Sequence, residues 1–408
     1  MTLSPLTRAG PSGGGISAVE PSCFGAQPAF LESRIGTFKV LVRQGEWRLH
    51  LLNASAAWLW DRLQLANPGS IDSEHELSHQ VAKEFGLTAS LAASHVTRAL
   101  ECWRQAGLIA PTPLHGLETG WVIPPPAPRL PATGERVLAV AGQAFGLVID
   151  SDALADLLRG PLRRLRVTAP RERTQALRLM GEPVNWTLSC DGQELATGDT
   201  QDAAIVGVLA SLIDLACRAE DRLLVIHGAG LAHPDGGGYL LVAPGGSGKT
   251  TLAAALNAEG HALLSDDVVP VRRDGRLLAL NTPICLKAGS WPVLADRRPD
   301  LAAQPVIQRY GQPIRYLPPL GPVVSEALPP RLLLFPRYRP DGPPEVTRLE
   351  PELALRHIVE AEAVIRDLTQ AKLDDLTAWI GALPAYALSY PDLATGLAQV
   401  RSLLDAGD

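Results

Sequence analysis

Three glycines at 245, 246 and 248, a lysine at 249 and threonines at 250 and 251 stand together in APGGSGKTT, and an acidic pair, Asp266 and Asp267, follows seventeen residues after the lysine. Backbone N–H groups of such a run can turn inward on an anion, the lysine adds a point charge, and a threonine hydroxyl is a hard ligand for Mg²⁺. The combination reads as a cradle for nucleotide phosphates, with Gly245, Gly246, Ser247, Gly248, Lys249, Thr250 and Thr251 as its contacts. The usual pattern opens on Gly, and Ala243 stands in that place, ahead of the part of the loop that must turn inward. Carboxylates beside a terminal phosphate have two uses: one orients or deprotonates an attacking hydroxyl, the other holds Mg²⁺. The same Asp-Asp pair could instead do no more than begin a turn. His227, in RLLVIH, is either a hydrogen-bonded structural residue or a group placed near the phosphates.

These residues need particular elements around them. YLLVAPGGSGKTTLAAALNAEGHALLS fits a strand over 239–243, a loop from Pro244 to Gly248, a helix closed by Gly260 and a second strand, HALLS. If the second strand is parallel to the first and next to it, both open on one edge and bring the acids to the loop. RLLVIH is read as a strand ending at His227, followed by a hairpin that turns at Asp235 to Gly238.

At 408 residues the chain exceeds what one core usually organises, so two domains are expected. Its hydrophobic fraction is 46% and its net charge −6, which gives no global basic field for nucleic acid. Cys23, Cys102, Cys190, Cys217 and Cys285 are odd in number and never spaced as CxxC, which fits reduced thiols and a cytoplasmic location. MTLSPLTRAGPSGGG lacks the apolar core of a secretory signal, and residues 1–22 read as a flexible tail. AAIVGVLASLIDLAC is too short to span a bilayer and contains Asp214, so it reads as a buried helix, and no membrane partner is expected.

A proline-rich linker over 113–134 separates a front module, 23–112, from a back domain, 135–408. In front, FKVLVRQGEWRLHLL alternates across a Gln44-Gly45 turn as a hairpin. Three helices follow, the first capped by Asn53, the second capped by Ser73 and ended by Gly86, the third ended by Gly107. A hairpin plus three helices is the order of a winged-helix module; the back domain reads as mixed α/β. Winged helices also bind DNA, but the third helix offers only Arg98 and Arg104 as firm cations, too thin for tracking phosphates.

The order VIHGAG, GGYLLVAPGGSGKTTLAAALNAEGHALLSDDVV resembles the catalytic core of the HPr kinase/phosphorylase family and its related bacterial P-loop kinases. The likeness is specific over Val225 to Val269 and looser over the rest of Gly134 to Ser402. It implies ATP and Mg²⁺ as cofactors, Lys249 among the catalytic groups, Asp266 as general base on a serine hydroxyl, Asp267 with Thr250 on the metal side, and His227 as an accessory group. PICLKAGSW and LLLFPRY look like the related subgroup, and the PGRN-type loop of true HPr kinases is absent, which counts against HPr as substrate. Lys287 and Arg337 in those segments are candidate cations for transferred phosphoryl charge. Oligomers are the family's habit and an expectation here.

Residues from about Phe30 to Ile109, with LLNASAAWLWDRL and WRQAGLI, resemble the PqqD family, the recognition elements of ribosomally made, modified peptides. That likeness implies a sheet edge and a groove beside the third helix that take a precursor's leader, with Val40, Val42, His95 and Arg98 as candidate contacts. The two likenesses together resemble lasso-peptide precursor kinases. They imply a kinase that captures a precursor peptide by its leader and phosphorylates a hydroxyl of it. A kinase of a folded carrier protein or small hydroxylated metabolite, and an ATP-responsive regulator that binds peptide or DNA, remain alternatives.

Overall fold

The computed structural model describes residues 30–43, 49–65, 74–106, 108–109, 135–167 and 175–406. The expected tail, the linker, the Gln44-Gly45 turn, the Ser73 cap and the Gly107 stop lie outside the described residues. The protein mixes α and β structure in two units.

The smaller unit holds Phe30, Arg43 and the segment from Leu52 to Ile109, with helices α1 (Ala54–Leu65), α2 (Glu74–Phe85) and α3 (Ala89–Gln105). Asn53 caps α1 by accepting from the Ala56 N–H at 3.0 Å, and Thr88 caps α3 by accepting from Leu91 at 3.3 Å. Trp60 is fully buried and meets Phe30 and Trp103 edge-on, with centroids at 5.0 and 5.5 Å.

The larger unit claims the strands read from sequence as the front hairpin. β1 (Phe30–Ile35), β2 (Phe38–Arg43) and β3 (Leu49–Leu52) form one sheet in that order, and residues 31–42 and 49–51 group with the larger unit. Leu31, Ile35, Val40 and Val42 share one core with Leu224, Ile226, Leu240, Leu355 and Leu376. β1 was not foreseen, because FLESRI carries too few apolar residues to announce a strand alone.

Next come β4 (Arg136–Val140), β5 (Gln143–Ile149), α4 (Asp152–Leu157), β6 (Gln175–Glu182), β7 (Asn185–Cys190) and β8 (Gln193–Gly198). These five strands pair in chain order, and α5 (Gln201–Cys217) lies against them with Ala204, Val208, Leu209 and Leu212 in their core. This is the apolar helix expected over 203–217; its Asp214 reaches outward to Arg218 and Arg366. Among the described residues no helix is long and apolar enough to cross a membrane.

The central sheet is built from β9 (Arg222–Ala232), β10 (Gly238–Val242), β11 (Ala262–Ser265), β12 (Val268–Arg272), β16 (Pro330–Tyr338), β17 (Glu345–Arg348) and β18 (Ala385–Tyr390). Its order is β11-β9-β10-β16-β18-β17, with β12 also paired to β9. Between β12 and β16 the chain forms a small sheet of β13 (Ile284–Lys287), β14 (Ile307–Arg309) and β15 (Gln312–Leu317), with a one-turn helix α7 (Trp291–Leu294). Helices α6 (Lys249–Ala258) and α10 (Leu393–Asp405) cover one face of the central sheet; α8 (Pro351–Glu360) and α9 (Gln370–Gly381) cover the other. Burial on both faces explains the unbroken apolar run of β10. Its Leu240 and Val242 enter one core while Tyr239 and Leu241 enter the other.

Two expectations about this sheet need correction. HALLS is not beside GYLLV: β9 lies between them, antiparallel to both, so β10 and β11 run the same way without touching edges. His227 does not end its strand but sits inside the eleven-residue β9, opposite Val268 of β12. The turn after it does fall where expected, with Ala232 paired to Gly238.

Trp60→Ala should open a cavity in the smaller unit and cost it about 3–5 kcal/mol, read as an earlier unfolding midpoint in urea followed by tryptophan fluorescence.

Candidate functional site

The direction of the strands gathers the site. β10, β16 and β18 are parallel and β11 shares their direction, so all four end on one edge of the sheet. At that edge stand the glycine loop after β10, the acidic pair after β11, Tyr338 at the end of β16 and Tyr390 at the end of β18. A cleft of about 550 Å³ joins them; its lining includes Gly245, Gly248, Lys249, Thr250, Asp266 and Asp267.

The loop is built from backbone. Gly246 and Gly248 have φ of 82° and 94°, left-handed values that glycine adopts at no steric cost. Gly248 is the N-cap of α6 and makes no side-chain cap hydrogen bond, so the positive end of the helix opens on the cleft. The Lys249 ammonium is buried and donates to the carbonyls of Ala243 and of Pro244, the latter at 3.0 Å. Burial lowers its pKa, opposed by the Asp267 carboxylate. Thr250 also lines the cleft, while the Thr251 hydroxyl is tied to Ser290 at 2.7 Å.

The acids occupy a break in an edge. β11 and β12 pair one after the other along β9, and Asp266 and Asp267 fill the step between them. The Gly228 N–H donates to the Asp267 carbonyl at 3.0 Å. A Cβ on Gly228 would stand 2.6 Å from the Leu241 carbonyl oxygen, so only glycine lets β9 and β10 approach this closely there.

The two carboxylates differ. Asp266 is 4% exposed, and its Oδ2 accepts from the Cys285 N–H at 2.8 Å. Burial first, and then the neighbouring Asp267 charge, push its pKa up to about 7. The Asp267 side chain is 42% exposed and accepts from Arg309 Nη2 at 3.2 Å, with His227 Nε2 3.7 Å from its other oxygen. Burial, followed by the charge of Lys249, lowers the His227 pKa, which favours a neutral imidazole. Arg309 Nη1 also lies 3.2 Å from the Cys285 sulfur, and burial raises that thiol to about 11, so it stays protonated.

His227, Lys249, Thr250, Asp266, Asp267 and Lys287 thus come together. Arg337 does not: it is exposed on β16 and lines a neighbouring groove with Ser247, Glu345 and Thr347. Arg309 is the cation that the sequence did not reveal; its only signal was the Tyr-Gly turn after VIQR, which sets it at a hairpin end. Tyr390 was missed as well, because nothing in ALSYPDL connects it to a loop far away in sequence. Val40 and Val42 are 0% and 1% exposed within the larger unit's core, so they cannot touch a peptide. His95 and Arg98 are exposed on α3. Cys102, Cys190, Cys217 and Cys285 are free thiols.

Among the described residues no three or more His, Cys, Asp or Glu are grouped so that they alone could hold a metal ion. A metal here would depend on Asp267, the Thr250 hydroxyl and oxygens from a bound phosphate, a hard, oxygen-only set of the kind Mg²⁺ takes. The arrangement can seat an anion at the loop and offers a buried carboxylate beside it.

Comparison with protein families gives a match in the front of the chain, over residues 39–109, to the family described as Coenzyme PQQ synthesis protein D (PqqD). That segment is similar to a PqqD-type domain. Domains of this type bind the precursor peptides of ribosomally made, modified products. The match spans β2, β3 and the three helices, well under half of the chain. No curated protein matches the chain.

A carboxyl whose pKa rises on folding, from 3.8 to about 7 for Asp266, contributes stability that is complete below pH 4 and is lost as pH rises through 7. Asp266→Asn should remove that slope. The ligand-free variant should match the wild type near pH 4 and exceed it by on the order of 3 kcal/mol at pH 8, measured by urea denaturation at both pH values.

Proposed function

We propose that the protein is an ATP-dependent kinase that captures a precursor peptide through its PqqD-type domain and phosphorylates a hydroxyl of that peptide, a serine by resemblance. The observation that carries the reading is the single cleft joining an uncapped helix start and Lys249 to a buried carboxylate with a raised pKa. A transferred phosphoryl group needs cations and N–H donors on its oxygens, and the acceptor needs a base close by.

The roles follow from position. Gly245 to Thr251 hold the nucleotide phosphates, and Lys249 neutralises charge on the transferred group. Thr250 and Asp267 would hold Mg²⁺, which would supply positive charge to the phosphate oxygens. Asp266 has one oxygen committed to the Cys285 N–H, leaving the other to accept the acceptor's proton. The acceptor oxygen bonds to the γ-phosphorus, the bond from that phosphorus to the bridging oxygen breaks, and ADP leaves. Arg309 steadies Asp267 and stands with Lys287 as the cation for charge built up in transfer. His227, held neutral, can accept or donate one hydrogen bond at the same place.

Tethering supplies the reason for joining the two functions. A leader held on one part of the chain raises the local concentration of the acceptor, so a weakly recognised acceptor can react.

Incubation with Mg-ATP and a leader-bearing precursor peptide should add one phosphoryl group, located by tandem mass spectrometry. Asp266→Asn should slow that transfer about a hundredfold or more with ATP affinity kept, whereas Lys249→Ala should weaken ATP binding itself. The full precursor should react on the order of 10²-fold more efficiently than its leaderless half, and free leader added in trans should cancel that advantage. Equal efficiency for both peptides would remove the front domain from substrate capture.

A further inference from the structure

Tyr390 is 3% exposed at the carboxyl end of β18, and two glycines make room for its ring. On one side lies Gly396 of α10, where a Cβ would stand 3.0 Å from Tyr390 Cδ2 and 3.2 Å from Cε2. On the other lies Gly248, where a Cβ would stand 3.0 Å from the phenol oxygen. The backbone on both sides is fixed: Tyr338 pairs with Tyr390 across β16 and β18, the Tyr338 N–H donates to the Ser247 carbonyl at 3.2 Å, and the Arg339 N–H donates to the Tyr390 carbonyl at 2.9 Å. The phenol is therefore aimed at the last glycine of the loop and cannot swing away.

Packing does not explain the hydroxyl. A phenylalanine would fill the same slot between the glycines, yet the buried Tyr390 oxygen has no hydrogen-bond partner among the described residues. A buried O–H without a partner costs roughly 1–3 kcal/mol, so a group of this kind calls for an explanation. Burial, reinforced by Tyr338, raises its pKa above the usual phenol value, which keeps it a donor at any physiological pH. Tyr390 lines the cleft together with Lys249, Thr250 and Thr251, the first turn of the helix at whose start an anion would rest.

We propose that the Tyr390 hydroxyl is a nucleotide-binding group that donates to a non-bridging phosphate oxygen at the start of α6, an assignment that rests on the loop holding a nucleotide. Tyr390 then works as a side-chain extension of the loop, brought from β18 because position 248 must stay glycine. It fixes where the polyphosphate lies in the loop without joining the proton or phosphoryl transfer.

Tyr390→Phe keeps the ring and deletes the donor. The variant should melt no earlier than the wild type without ligand and bind both Mg-ATP and inorganic tripolyphosphate about three- to tenfold more weakly, measured by isothermal titration. An equal loss for the two ligands supports a phosphate contact. A loss confined to ATP would overturn the inference in favour of a ribose contact, and unchanged affinity for both would overturn it outright. If the wild-type protein bound neither ligand, the nucleotide site itself would fall and the role of Tyr390 with it.

Discussion

β9 is longer than any of its partners, and the cleft depends on that mismatch. Its eleven residues pair with β10 along one edge, and on the other edge they need two short strands, β11 and β12, to use up their hydrogen bonds. The join between those strands is the one place on that edge where the chain leaves the ladder, and two aspartates fill it. A continuous partner strand would bury both acids in regular pairing. The step instead brings both to the cleft, one carboxylate buried and the other part-exposed, and the Gly228 N–H fixes it by holding the Asp267 carbonyl.

Adjacent residues thereby acquire opposite environments. Asp266 is stripped of water and held by one backbone N–H, so it keeps its proton to near neutrality; Asp267 retains solvent and an arginine. Burial and different hydrogen-bond partners set the two carboxylates apart, although their side chains are identical.

What was legible in the sequence was local. Gly246 and Gly248 announce left-handed backbone, the alanine-rich run announces α6, and Asn53 announces the start of α1. Their partners lie within a few residues, so spacing alone specifies them. Arg309 and Tyr390 reach the cleft from hairpin and strand ends far along the chain, and their placing is decided by pairing of β14 with β15 and of β18 with β16. The neighbours of β10 were misjudged for the same reason: alternation shows that a strand has two faces and says nothing about which strand borders it. For Val40 and Val42 the alternation gave the strand, but the likeness offered them as peptide contacts, and their burial in the larger unit's core overturns that.

The packing of these two valines limits where the chain can be divided. Val40 and Val42 belong by family match to the PqqD-like segment and by packing to the core that also holds Leu240 and Val242 of the strand feeding the glycine loop. A chimera that exchanges the recognition segment at the family boundary would replace part of the other unit's interior. A seam that keeps this sheet whole falls after β3, so the helices can be exchanged while the three strands before them stay with the larger unit.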